Sequence, residues 1–170
     1  MIESRFQEIS QELNGNYQHE TKKYNGGMGA RLPVTLHRLD IDYNGSSIDV
    51  KYEFGNLNLG EFLCTIKSGK RIPDFKIETR SNLGRLFTKG KNPWKIKCSD
   101  GLLAEKIKLF LKETDLEKIV QETSFEPSII GETDQTGFNV KMQFYLGFEN
   151  KEESILPIIN FYKKMIDHLN

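Results

Sequence analysis

Cysteine, proline and tryptophan are scarce in this chain: two, five and one in 170 residues. Two cysteines cannot build the bridged framework of a small secreted domain. None is needed, because a chain of this length buries roughly 70% of its unfolded surface. Cys64 and Cys98 each sit in an alternating apolar stretch and read as small buried hydrophobes. That usage suits a reducing, cytoplasmic compartment. Long apolar runs are missing too, and no stretch approaches the roughly 18 residues of a membrane span. The N-terminus, Met1-Ile-Glu-Ser-Arg-Phe-Gln-Glu, holds acids where a signal peptide would carry a basic region and an apolar core. Alanine occurs twice against twelve asparagines, the composition of an AT-rich bacterial genome.

Signatures of chemistry are equally sparse. His19, His37 and His168 are far apart, and none stands at metal-ligand spacing from a cysteine or another histidine. Gly26-Gly27-Met28-Gly29 lacks the lysine and Ser/Thr of a phosphate-binding loop, and Ala30-Arg31-Leu32-Pro33 does not open a helix. It reads as a connector. Asp40, Asp42 and Asp49 share a strand face, but Arg38 and Lys51 lie within reach to neutralise them. No serine or cysteine has a visible base partner. These absences point to a protein that works by binding, with no cofactor and no metal. Two other readings stay open: an enzyme whose pocket is built from loops 25–31 and 81–93, and a carrier of an apolar ligand between sheet and C-terminal helix.

What is present is strong periodicity. Phe138, Val140, Met142, Phe144, Leu146 and Phe148 alternate with Asn139, Lys141, Gln143, Tyr145 and Gly147, a half-buried strand with Phe144 inward and Gln143 outward. Ile155, Ile158, Ile159, Tyr162, Met165, Ile166 and Leu169 recur at helical spacing. Pro157 falls at the third helical position if Ser154 is the N-cap, where its missing N–H costs nothing. Ile2, Phe6, Ile9 and Leu13 predict a surface helix over 2–13, stopped by Asn14-Gly15. Residues 17–24 form a short strand. Further strands are predicted at 61–67, 74–80, 94–99 and 125–132, with a helix from 101 to 111. Thr114-Asp-Leu-Glu117 reads as a capping box opening a second short helix, 115–122.

Residues 33–54 read as a hairpin in one of two registers. A two-residue Asn44-Gly45 turn sets Asp40 against Asp49 and Arg38 against Lys51. A four-residue loop instead sets Arg38 against Glu53 and Asp40 against Lys51. Opposite-charge cross-strand pairs contribute roughly 0.2–1 kcal/mol each, which favours the four-residue loop. Together the elements predict a single α+β domain over 1–170. It is a two-layer sandwich in which about three helices cover one face of a six- or seven-stranded, mostly antiparallel sheet. The other face carries Asp40, Asp49, Lys51, Lys76, Lys95, Lys97, Lys141 and Gln143 into water.

Net charge is zero, yet it is unevenly spread. Residues 67–97 hold ten basic side chains and only Asp74 and Glu78 as acids, a balance of +8 against −8 for the remainder. Within that segment Arg80, Arg85, Lys89, Lys91, Lys95 and Lys97 surround Phe87 and Trp94. Cations interleaved with aromatics suit an anionic partner such as single-stranded nucleic acid or an anionic membrane surface. The plainer reading is a solvated strand edge whose lysines discourage sheet-to-sheet pairing. Overall neutrality argues against a dedicated nucleic-acid binder.

Overall fold

The computed structural model describes residues 1–25, 31–80 and 92–170. In chain order the elements are α1 (Ile2–Leu13), β1 (Asn16–Asn25), β2 (Arg31–Tyr43), β3 (Ser46–Phe54), β4 (Leu59–Ile66), β5 (Phe75–Thr79), β6 (Trp94–Cys98), α2 (Gly101–Glu113), α3 (Leu116–Glu122), β7 (Ser128–Thr133), β8 (Phe138–Tyr145) and α4 (Ile155–Leu169). The strands form one open sheet in the order β1-β2-β3-β4-β8-β7-β5-β6. Every neighbouring pair is antiparallel. The α+β class is as expected. The described residues hold eight strands rather than six or seven, and four helices rather than about three. The short strand expected over 17–24 is β1, which is longer than that, all ten of its residues being in register with β2.

The alternating residues of β8 bury Phe138, Val140, Met142 and Phe144 on the same side as Phe62, Cys64 and Ile66 of β4 and Ile48, Val50 and Tyr52 of β3. Against this inner face α4 lays its apolar stripe, and the Tyr162 hydroxyl donates to the Phe62 carbonyl at 3.1 Å. The Phe144 ring meets Tyr52, Phe62, Phe125 and Phe148 at centroid distances of 5.8, 6.1, 4.8 and 6.0 Å. It also covers Gly60, its cross-strand partner, where a Cβ would stand 2.4 Å from the ring. Aromatic rings thus fill the space between sheet and α4.

Several local expectations are corrected. The β2–β3 hairpin uses the two-residue turn, with Asp40 facing Asp49 and Arg38 facing Lys51. Asn44 (φ 47°) and Gly45 (φ 78°) both take the left-handed conformation that this turn requires. The charge argument fails because β3 has a second neighbour: Lys51 faces Glu61 of β4. The capping box does not form. Thr114 Oγ1 donates back to the Phe110 carbonyl at 2.7 Å, and Asp115 (φ 61°) opens α3 without a side-chain cap. Asn14 (φ 52°), not Gly15, is the left-handed residue that ends α1. Gly15 is needed for space, since a Cβ there would lie 2.8 Å from Leu39. Finally, β7 begins at Ser128 rather than Phe125, after Pro127, which has no N–H for the ladder. As expected, α4 starts after Ser154, with Pro157 in its first turn.

Candidate functional site

Three connections meet at one end of the sheet. Ile66 at the end of β4 is in register with Phe138 at the start of β8, and Thr133 at the end of β7 pairs with the same residue. Phe75 at the start of β5 pairs with Cys98 at the end of β6. The β4–β5 loop, the β6–α2 junction and the β7–β8 turn therefore surround a common space. It is a cleft of about 1040 Å³.

Its walls have distinct local causes. The β4–β5 loop is pinned by Ile72, which is 6% exposed, and this leaves Lys70 and Arg71 on its exposed crest. The β7–β8 turn is held by Asp134, whose Oδ1 accepts from the Thr136 amide at 2.7 Å and from the Thr136 hydroxyl at 2.6 Å. Those bonds hold the Asp134 carboxyl below its usual range. Gly137 closes that turn at φ 146°, with a Cβ position only 2.9 Å from the Ile66 carbonyl oxygen. The third wall is the exposed Lys97 with Cys98 and Ser99. Beyond it, the N-terminal amides of Leu102 and Leu103 on α2 are taken by Asp100 at 2.8 and 3.1 Å. The positive character of the cleft therefore comes from Lys70, Arg71 and Lys97 rather than from the helix end. Asp74 is the one carboxylate among its described lining residues. The apolar floor is Ile72 and Phe138, and Ser68, Ser99 and Thr133 offer hydroxyls.

The residues singled out from the sequence are divided by this geometry. Lys97 lines the cleft. Lys95, two positions earlier on the same outer face, is exposed and stands opposite Glu78. Trp94 and Arg80 lie at the other end of the β5–β6 ladder, roughly 10 Å from Lys97 along the strand, where the Arg80 amide donates to the Pro93 carbonyl at 2.8 Å. Trp94 is 2% exposed, so its ring packs in the core and is not offered for stacking. Arg85, Lys89, Lys91 and Phe87 lie outside the described residues. Lys70 and Arg71 belong to the basic segment 67–97 but lie outside the stretch 80–97 in which cations surround Phe87 and Trp94. Their signal is a cationic pair between Gly69 and Pro73, in a connection too polar to be strand.

Two other clusters arise from register. His19 faces His37 across β1 and β2, with ring centroids 4.9 Å apart. Asp40 faces Asp49, and burial together with that neighbouring charge raises the Asp40 carboxyl above its usual range. Among the described residues, no three His, Cys, Asp or Glu side chains gather as metal ligands. Cys64 and Cys98 are both free thiols, and burial pushes Cys64 up to about 12. No helix among the described residues is long and apolar enough to cross a membrane. No family model, curated protein or solved structure matches the chain.

Proposed function

We propose that this chain is a non-enzymatic, cytoplasmic binding protein that takes a small anionic ligand, one bearing phosphate or carboxylate groups, in the cleft at the end of the sheet. The observation that carries this reading is the lining itself. Three cations from two separate elements, Lys70, Arg71 and Lys97, face one acid, Asp74, around a space of ligand size. Long flexible cations over an apolar floor can follow an anion of variable shape, whereas hydroxyls at the rim fix its orientation. A single-stranded nucleic acid is favoured less, because base stacking needs exposed rings and Trp94 is buried. An apolar ligand under α4 is favoured less as well, since rings occupy that space.

The test is calorimetric titration with inorganic pyrophosphate. Binding is expected at about 50 mM salt and weakens by about 200 mM, because shortening the Debye length screens exposed charges. The double variant Lys70→Glu, Arg71→Glu abolishes it. The melting temperature stays nearly constant, since exposed loop charges contribute roughly 0–1 kcal/mol to folding. No heat of binding at low salt, or equal binding by the double variant, refutes the reading.

A further inference from the structure

The cleft does not end at the strand tips. Asp74 and Lys97 also line a second hollow, of about 270 Å³, on the outer face of the sheet, floored by Ile130 and Gly131 and closed by Glu132. Register explains the join. Phe75 pairs with both Cys98 and Gly131, and its side chain is buried on the inner face. By the strand alternation Asp74 is therefore outward, between Ser99 on one side and Glu132 on the other. Lys97 and Ile130 are outward as well, flanking Lys76. Asp74 and Glu132 are exposed, and their backbones stand about one strand spacing apart, roughly 5 Å. Neither carboxylate has an ion-pair partner among the described residues. Lys76 is bridged to Glu78 at 2.8 Å. A third hollow shares Ile130 and Glu132, but its polar groups are already taken: the Thr65 hydroxyl donates to Asn139 Oδ1 at 2.6 Å, and the Thr136 hydroxyl to Asp134 Oδ1 at 2.6 Å. The groove that starts at Lys70 and Arg71 thus ends at Glu132.

We infer that the ligand of the cleft is a phosphorylated sugar, with its phosphate on Lys70, Arg71 and Lys97 and its hydroxylated body in the outer hollow against Asp74 and Glu132. This rests on the reading of the cleft as an anion site and specifies the rest of the ligand. The lining of the hollow holds two acids and two lysines, so its charges balance and a neutral body suits it. A second anionic group at the far end meets Glu132. A nucleobase finds no ring to stack on, because the aromatic residues lining the two spaces, Phe75 and Phe138, are each 3% exposed. A purely apolar body desolvates both carboxylates and returns no hydrogen bond. Sugar hydroxyls donate to them, since an ionised carboxylate accepts at both oxygens. Donors placed between Asp74 and Glu132 also relieve the repulsion of two like charges on neighbouring strands. The C–H face of the ring rests on Ile130, which is 39% exposed. The length agrees too. Lys97 and Glu132 are two strands and two residues apart, roughly 12 Å between backbones, and their side chains shorten that span to one sugar ring with its phosphate.

The test is calorimetric titration of the full chain at low salt with inorganic phosphate, glucose 6-phosphate and glucose 1,6-bisphosphate. Glucose 6-phosphate is expected to bind about tenfold tighter than phosphate, the margin of one hydrogen bond to a charged group. The bisphosphate binds no tighter than glucose 6-phosphate. Glu132→Ala loses the sugar margin and keeps the affinity for phosphate. Glu132→Lys reverses the preference and takes the bisphosphate about tenfold tighter than glucose 6-phosphate, because an attractive charge replaces a repulsive one. That gain cannot come from a variant that fails to fold. The same charge change at the exposed Glu12 of α1, which packs on β1 and β2 at the opposite edge of the sheet, leaves the wild-type preference in place. Glucose 6-phosphate binding no tighter than phosphate, a wild type that prefers the bisphosphate, or an equal reversal by Glu12→Lys overturns the inference. Each of those results leaves the cleft reading standing if phosphate and pyrophosphate bind, whereas no binding by any of these anions overturns both.

Discussion

The imidazole of His37 is 3% exposed, and its Nδ1 lies 2.8 Å from the Tyr17 hydroxyl. Burial, with a smaller effect from Glu3, pushes Tyr17 up to about 12, so the phenol keeps its proton. When that proton is given to Nδ1, His37 is the neutral tautomer protonated on Nε2; with a proton on Nδ1 the roles reverse. Burial first, then the His19 ring stacked 4.9 Å away, holds His37 below the ordinary histidine value of 6.5, while Glu3 works in the opposite direction. A lowered pKa means that the unfolded chain binds the proton more readily. The stabilisation is therefore complete above pH 6.5 and is lost as pH falls below it through the depressed native value. The denaturation midpoint of the wild type is expected to decline on acidification from pH 6.5, and that of His37→Phe, which cannot titrate, to decline less. Parallel curves for the two proteins would show that His37 is not the linked group. This cluster is not legible in the sequence, because seventeen residues lie between the two histidines and only the β1–β2 register brings them together.

At the scale of elements, β8 was legible almost entirely from its period of two. Its inward residues are the buried ones, and the apolar alternation continues through Leu146 and Phe148 although the ladder stops at Tyr145. The Leu146 amide instead donates to the Asn58 carbonyl at 2.7 Å. Phe144→Ala is expected to destabilise the fold by about 3–5 kcal/mol, since it empties a ring site bounded by four other aromatics and uncovers Gly60. Gln143→Ala, on the outer face, loses a bond to Glu61 Oε2 of 2.6 Å and is expected to cost about 1 kcal/mol. Chemical denaturation of both separates the faces, and equal losses would contradict the assignment. The β2–β3 turn was not legible by the same route. Both registers keep the apolar side chains together, so the alternation is silent. Cross-strand charges within two strands omit the third strand on which Lys51 finds Glu61. Asn44 adds a contact from farther still, its Nδ2 donating to Asp167 of α4 at 2.7 Å.

For the whole molecule, the uneven charge was visible in the sequence, but its destination was not. Composition places ten cations in residues 67–97, and six of them surround Phe87 and Trp94 within 80–97. Which cations converge depends on which strand ends meet, and that is set by pairings such as Ile66 with Phe138 and Phe75 with Cys98. Lys70 and Arg71 join Lys97 for this reason, while Arg80 and Trp94 fall at the opposite end of the ladder. Trp94 also follows the strand alternation inward, which interleaving with lysines does not reveal. The most direct measurement is therefore one that locates the ligand as well as detecting it. Amide resonances of the isotope-labelled chain, followed during titration with inorganic pyrophosphate, are expected to shift at residues 68–74, 97–99 and 133–138. Shifts confined to the Arg80–Trp94 end, or no shifts at low salt, would contradict the account.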